Sequence, residues 1–161
     1  MPRQPGEPRP RNGAAALTHV VVEKTIARPR DEVARYAVDW RNDPAWIRAL
    51  SESELVTEPP LRVGSRVRRV AGFLGKRIEY VNEVVEYQPG RRLVMRSVQA
   101  PFPMTVVYEF EDAGAGTLMR IRADGDASGF YRFATPLLSR AVRRSIAGDL
   151  ERLRETLERG A

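Results

Sequence analysis

The chain has 161 residues, 42% of them hydrophobic and 30% charged, which fits one globular domain with a substantial core and excludes a disordered chain. It has no cysteine and a single histidine, His19, so a disulfide framework, a thiolate metal site and a multi-histidine metal site are excluded, and we expect no cofactor. The formal net charge of +6 comes almost entirely from arginines interleaved with acids along the chain, a pattern that favours a GC-rich genome over a nucleic-acid-binding surface.

Residues 1–17 are rich in proline, arginine and glycine and have no apolar periodicity. Such a segment cannot bury enough apolar surface to offset the entropy of ordering it, so we predict a disordered tail. The pattern changes at residue 18, and we assign residues 18–161 to one domain. The sequence has no apolar run of about 20 residues and no apolar signal-peptide core. We therefore expect a soluble, cytoplasmic protein without stable membrane insertion.

The domain begins with a predicted strand followed by two short helices. Residues 19–27 form a valine-rich apolar run, which Pro29 interrupts. Because proline suits the first turn of a helix and two acids follow it, residues 30–38 are predicted to be helical. Pro44 then breaks the chain before a second helical turn that carries Trp46.

Six further predicted strands follow, separated by turn residues: 51–58, 65–73, 76–87, 92–98, 104–112 and 117–126. Their regular spacing predicts antiparallel hairpins. Along each strand polar and apolar residues alternate, so one face of the sheet is polar and the other mainly apolar. In residues 76–87, for example, Glu79 and Glu83 point one way, and Ile78 and Tyr80 point the other way.

The last 25 or so residues predict a long amphipathic helix with Pro136 in its first turn. Its apolar residues recur at spacings of three or four: Leu138, Val142, Ile146, Leu150, Leu153 and Leu157. A helix of this kind after a curved sheet buries its stripe on the concave face. The sequence thus predicts an α+β fold in which a curved antiparallel sheet of about seven strands wraps around the helix and leaves an apolar cavity between them.

Local motifs along the domain resemble those of a known family. They are Ile26-Ala27-Arg28-Pro29 with Glu32-Val33, Asp39 followed by Asn42, Pro44 and Trp46, Val63-Gly64-Ser65, Val84-Val85-Glu86-Tyr87-Gln88-Pro89 with Arg92-Leu93, Tyr108-Glu109-Phe110 with Gly116-Thr117, and Asp149-Leu150 with Leu153. Their order over residues 19–159 resembles the polyketide cyclase/dehydrase family of the START-like (SRPBCC) superfamily. The resemblance implies the helix-grip fold. It implies chemistry only weakly, because this family includes lipid carriers, hormone receptors and aromatase/cyclases.

The candidate ligand-binding residues are those that the alternation, the strand-end loops and the final helix turn toward the cavity. They are Trp46, Phe73, Ile78, Tyr80, Asn82, Met95, Ser97, Phe102, Tyr108, Phe110, Met119, Leu138 and Val142. Four of them carry polar atoms that need a partner when buried: Tyr80, Asn82, Ser97 and Tyr108. For each alone, a bond to the protein or to trapped water is favoured, whereas the cluster favours a ligand carbonyl or phenol.

Four positions have two interpretations each. Trp46 either anchors the core, which is favoured, or stacks on the ligand. Phe73 and Phe102 either gate an entrance or pack their loops. Arg69 alternates with Val67; it either points inward and binds an anionic group, or is turned outward by a strand irregularity, which we favour.

Catalysis requires a poised acid or base, and the predicted inward-facing set contains no Asp, Glu, His or Lys. His19 begins a strand beside the tail and is poorly placed to act as a general base. We therefore predict binding of a small hydrophobic molecule, such as a lipid, polyketide or isoprenoid. The alternative is an enzyme of the polyketide cyclase/dehydratase type. A third interpretation is an interaction protein with a basic surface for nucleic acid or an anionic membrane, and the dispersed arginines and the mixed charge of the last helix argue against it.

Overall fold

A computed structural model describes residues 18–132 and 134–160, apart from the side chain of Ser128. The seven strands are β1 Thr18–Ile26, β2 Leu50–Leu55, β3 Arg66–Phe73, β4 Lys76–Gln88, β5 Arg92–Gln99, β6 Met104–Ala113 and β7 Gly116–Gly125. The helices are α1 Arg30–Val38, α2 Asp43–Trp46 after a 3-10 turn at Trp40–Asn42, α3 Ser128–Tyr131 and α4 Thr135–Arg159. The tail predicted at residues 1–17 lies outside the described residues.

The strands form one antiparallel sheet in the order β1-β7-β6-β5-β4-β3-β2. The first strand therefore pairs with the last, and the connection through α1 and α2 leads from one edge of the sheet to the other. Register shifts interrupt the β4–β5 pairing at Val81/Asn82 and at Val84/Glu86. Because such bulges bend a strand and increase its twist, the sheet curls into a half-barrel with a concave face.

The long helix α4 lies in this concave face, as the sequence predicts. Its buried residues include Leu138, Leu150, Leu153 and Leu157, and Val142 and Ile146 pack partly buried against the core. Pro136 lies in the first turn of the helix. Among the described residues, no helix is long and apolar enough to cross a membrane.

A single turn of helix that the sequence did not predict, α3, precedes α4. Its Tyr131 is buried and packs against Phe73 and Phe102, with ring centroids 5.7 and 6.1 Å apart. Arg132 follows with φ 57° and ends the turn. Four residues are too few to display a helical period, so the tertiary packing of one aromatic ring stabilises an element that pattern analysis cannot detect.

Candidate functional site

A cavity of about 240 Å³ lies between α4 and the inner face of the sheet. Successive turns of α4 contribute Leu138, Val142, Ile146 and Asp149 to its wall, so the cavity follows the helix for roughly 16 Å. Its two ends differ in chemistry. The end near Asp149, here called the acid end, contains Trp46, Arg69, Tyr108 and Asp149; the other, here called the aromatic end, contains Phe73, Phe102 and Tyr131.

Eight of the thirteen predicted ligand-binding residues line this cavity: Trp46, Phe73, Ile78, Tyr80, Phe102, Tyr108, Leu138 and Val142. Five do not. Met95, Phe110 and Met119 are packed in the hydrophobic core, and Arg69 Nη1 lies 3.8 Å from the sulfur of Met95. Ser97 Oγ accepts a hydrogen bond from the Met104 N–H at 3.0 Å, and Asn82 is only 1% exposed. Strand alternation predicts which face a residue points to, but not what packs over it.

At the aromatic end, Phe73 and Phe102 pack against the α3 region rather than standing alone. Phe102 lies 5.3 Å from Phe130 between ring centroids, and Phe130 lies 5.0 Å from Tyr131. Lys76 Nζ sits 4.4 Å from the Phe130 ring centroid and donates to the Phe130 carbonyl at 2.5 Å. These ring contacts agree with the packing interpretation of Phe73 and Phe102, and both residues also line the cavity.

Arg69 lines the cavity, so the favoured outward orientation is wrong. The register shift in β2 falls between Leu50 and Glu52, and the β3–β4 pairing is regular, with Arg69 opposite Tyr80. The Arg69 Nη2 and Nε groups donate to Asp43 Oδ2 at 2.7 and 3.0 Å. The carboxylate that α2 supplies stabilises Arg69 in its inward-facing orientation. The sequence alone shows no partner for an arginine at this position, which is why it favours the outward orientation.

The Arg69–Asp43 pair is buried, with side chains 7% and 1% exposed. Burial raises the pKa of Asp43, although Arg69 and a hydrogen bond from Ser53 oppose this. Burial alone would lower the pKa of Arg69, but Asp43, Tyr108 and Tyr80 together raise it. The two Arg69 groups that donate to Asp43 Oδ2 make charge-assisted hydrogen bonds. The positive charge of Arg69 and the negative charge of Asp43 therefore balance each other in the cavity wall.

The prediction that no acid faces inward is also wrong, because the cavity is lined by Asp124 and, at the acid end, by Asp149. The side chain of Asp149 is 9% exposed. Its Oδ1 accepts a hydrogen bond from the Arg48 N–H at 3.0 Å, and Arg152 Nη1 lies 4.0 Å away. Burial raises the pKa of Asp149 to about 6, even though the Arg48 N–H and the Arg152 and Arg48 charges lower it.

The sequence did contain a signal for Asp149. It lies three residues after Ile146 and four before Leu153, so helical spacing places it on the same side of α4 as the apolar stripe. Asp43 carried no comparable signal. It lies in a one-turn helix, and only the packing of α2 against the sheet brings it to Arg69, 26 positions further along the chain.

Three of the residues that line the cavity each carry a buried polar atom with no hydrogen bond to any described residue: Trp46 Nε1, the Tyr131 hydroxyl and Thr18 Oγ1. Trp46 is fully buried, and its ring centroid lies 5.9 Å from that of Tyr108. Burial raises the pKa of Tyr131 to about 12 and that of Tyr108 above its ordinary value, so both phenols are protonated at neutral pH. Most buried polar groups have a hydrogen-bond partner, so these three atoms depart from the usual pattern.

Comparison with known proteins agrees with this architecture. A family model described as polyketide cyclase / dehydrase and lipid transport matches residues 18–158. No curated protein matches the chain.

Solved structures that resemble the chain share its fold. A protein from Thermus thermophilus has a TM-score of 0.75 and 21% identity, covering 89% of this chain and 99% of that one. The Zhui aromatase/cyclase from a Streptomyces species has a TM-score of 0.73 and 19% identity, covering 89% and 94%. A START superfamily protein from Mycobacterium smegmatis has a TM-score of 0.76 and 12% identity, covering 89% and 99%. The predicted START-like, helix-grip fold is confirmed.

Proposed function

We propose that this chain, which belongs to the polyketide cyclase / dehydrase and lipid transport family, binds a small, mainly apolar molecule between its sheet and α4. The cavity itself carries the proposal: about 240 Å³ of space lined by aliphatic and aromatic side chains with a few polar groups. Ligand pockets typically combine an apolar wall with a small number of orienting polar groups. Burial of apolar surface supplies the driving force for such binding.

The test is to fill the cavity and measure uptake of a neutral fluorescent probe, N-phenyl-1-naphthylamine. Val142 is partly buried and lines the cavity, so we expect Val142→Trp to abolish the fluorescence increase of the bound probe. The matched control is Val63→Trp, because Val63 is 60% exposed and does not line the cavity. Circular dichroism and melting curves establish that both variants are folded. A folded Val142→Trp protein that takes up the probe like the unchanged chain would refute the proposal.

A second candidate function, polyketide cyclase/dehydratase-type catalysis, is favoured by one observation. Asp149 lines the cavity and has its pKa raised to about 6 by burial, and a general base works best with a pKa near the working pH. The carboxylate could take a proton from a methylene group flanked by two ketone carbonyls. If the protein turns over a poly-β-ketone and Asp149→Asn abolishes turnover while probe binding persists, the enzyme function is supported. Absence of turnover by the unchanged protein leaves binding as the function.

A further inference from the structure

We infer that the acid end of the cavity selects a neutral ligand bearing a hydroxyl group and disfavours the carboxylate of an otherwise similar molecule. The inference rests on the proposed function, because it names the class of ligand that the same cavity takes. That class is an apolar alcohol or phenol, rather than a fatty acid or another organic anion.

The charges on the cavity wall disfavour anions. Within residues 18–132 and 134–160, three charged side chains line the cavity: Arg69, Asp124 and Asp149. The charge of Arg69 is balanced by Asp43, and the Asp124 carboxylate is held by His19 and by Arg122 Nε, the latter at 3.2 Å. Only Asp149 has its nearest cation at 4.0 Å, which is beyond hydrogen-bond distance. An ionised Asp149 therefore repels a second carboxylate in its neighbourhood, and low solvent exposure strengthens the repulsion.

The hydrogen-bonding groups of the acid end favour a hydroxyl. Asp149 when ionised can only accept, and the Arg48 N–H uses only part of its capacity. A ligand hydroxyl has a proton to donate to the remaining lone pairs of this carboxylate. An ionised ligand carboxylate has no proton to offer Asp149.

The chain holds Trp46 and Asp149 beside each other. The Arg48 N–H, two residues after Trp46, donates to Asp149 Oδ1, and Arg152 Nη1 donates to the Trp46 carbonyl at 3.3 Å. In one bond the donor follows α2 and the acceptor lies on α4, and in the other the donor lies on α4 and the acceptor on α2. Together they hold the end of α2 against α4. The ring centroid of Tyr108, on β6, lies 5.9 Å from that of Trp46, so Trp46, Tyr108 and Asp149 line the same end of the cavity.

The selectivity should depend on pH through Asp149. The groups that face its carboxyl are Arg48 after α2, Arg152 on α4 and the protonated phenol of Tyr108 on β6. With the pKa of Asp149 raised to about 6 by burial, the repulsion is present at pH 7.5 and weak at pH 5. A small aromatic carboxylate is still ionised at pH 5, because ordinary carboxyl pKa values are about 4.

The experiment compares three ligands of the same ring size by displacement of N-phenyl-1-naphthylamine: naphthalene, 2-naphthol and 2-naphthoate. At pH 7.5 we expect 2-naphthol to bind at least tenfold more tightly than 2-naphthoate, and the ratio should fall at pH 5. Asp149→Asn keeps an oxygen for the Arg48 N–H and removes the charge, so the ratio should drop to threefold or less. Glu54→Gln, which removes an exposed carboxylate on β2, is the control and should leave the ratio unchanged.

Equal binding of 2-naphthol and 2-naphthoate by the unchanged protein, or an unchanged ratio in Asp149→Asn, would overturn the inference and leave the proposed function standing. If naphthalene also fails to displace the probe, and the probe itself does not bind, the proposed function fails and the inference fails with it.

Discussion

Asp149 should lower the stability of the folded protein at neutral pH, and replacing it with asparagine should remove this effect. Burial raises the pKa of its carboxyl from an ordinary 3.8 to about 6 in the folded chain. The folded state therefore binds the proton more tightly than the unfolded state, and stability falls as pH rises through the window from about 4 to about 6. A pKa difference of about two corresponds to roughly 3 kcal/mol, fully present above that window.

The variant Asp149→Asn retains Oδ1, which accepts the Arg48 N–H, and cannot ionise. We expect it to be more stable than the unchanged protein by on the order of 1–3 kcal/mol at pH 7.5, with the difference disappearing near pH 4. Urea unfolding followed by circular dichroism at pH 4, 5, 6 and 7.5 measures the free energy of unfolding at each pH. Glu54→Gln controls for the loss of one exposed negative charge.

If the stability difference between Asp149→Asn and the unchanged protein is the same at pH 4 and pH 7.5, the folded chain does not perturb this carboxyl. If the unchanged protein is the more stable one at pH 7.5, Arg152 and the Arg48 N–H stabilise the carboxylate by more than burial costs it.

Asp43→Ala leaves the Arg69 charge buried and unpaired, so it should lower the free energy of unfolding by about 3–5 kcal/mol. The double variant Asp43→Ala, Arg69→Met removes the unpaired charge and should recover much of that loss. A double variant no more stable than the single one would contradict this. Leu153→Ala on the buried stripe should cost about 2–5 kcal/mol in urea unfolding, while Leu137→Ala, at a residue 57% exposed, should change stability by less than about 0.5 kcal/mol. Duplex DNA should bind weakly and only at low salt, because four arginines on the outer face of the sheet are paired with glutamates. These arginines are Arg66, Arg68, Arg92 and Arg120. Sub-micromolar affinity at physiological salt in a fluorescence-anisotropy titration would support the basic-surface interpretation instead.

The sequence by itself determined the order and approximate bounds of most elements. The predicted helix over residues 30–38 agrees with α1 at both ends, and each of the seven strands was placed at its position in the chain. These features depend on short-range physics: the fixed φ of Pro29, turn residues between strands, and the two- and 3.6-residue periods that separate buried from exposed side chains. The order of the motifs then identified the fold class.

Only the tertiary structure decided which inward-facing residues meet and what charge the cavity holds. Arg69 points inward because Asp43 comes from α2 to pair with it, and Asp149 is placed beside Trp46 through the N–H of a residue 101 positions away. A periodic pattern reports the direction of a side chain relative to its own strand or helix, but not the partner that packing brings opposite it. The energy of a buried charge depends mainly on that partner and on exclusion of water. Helical spacing places Asp149 on the apolar side of α4, but only the packing of α2, α4 and the sheet decided how deeply its carboxyl is buried and what pairs with it.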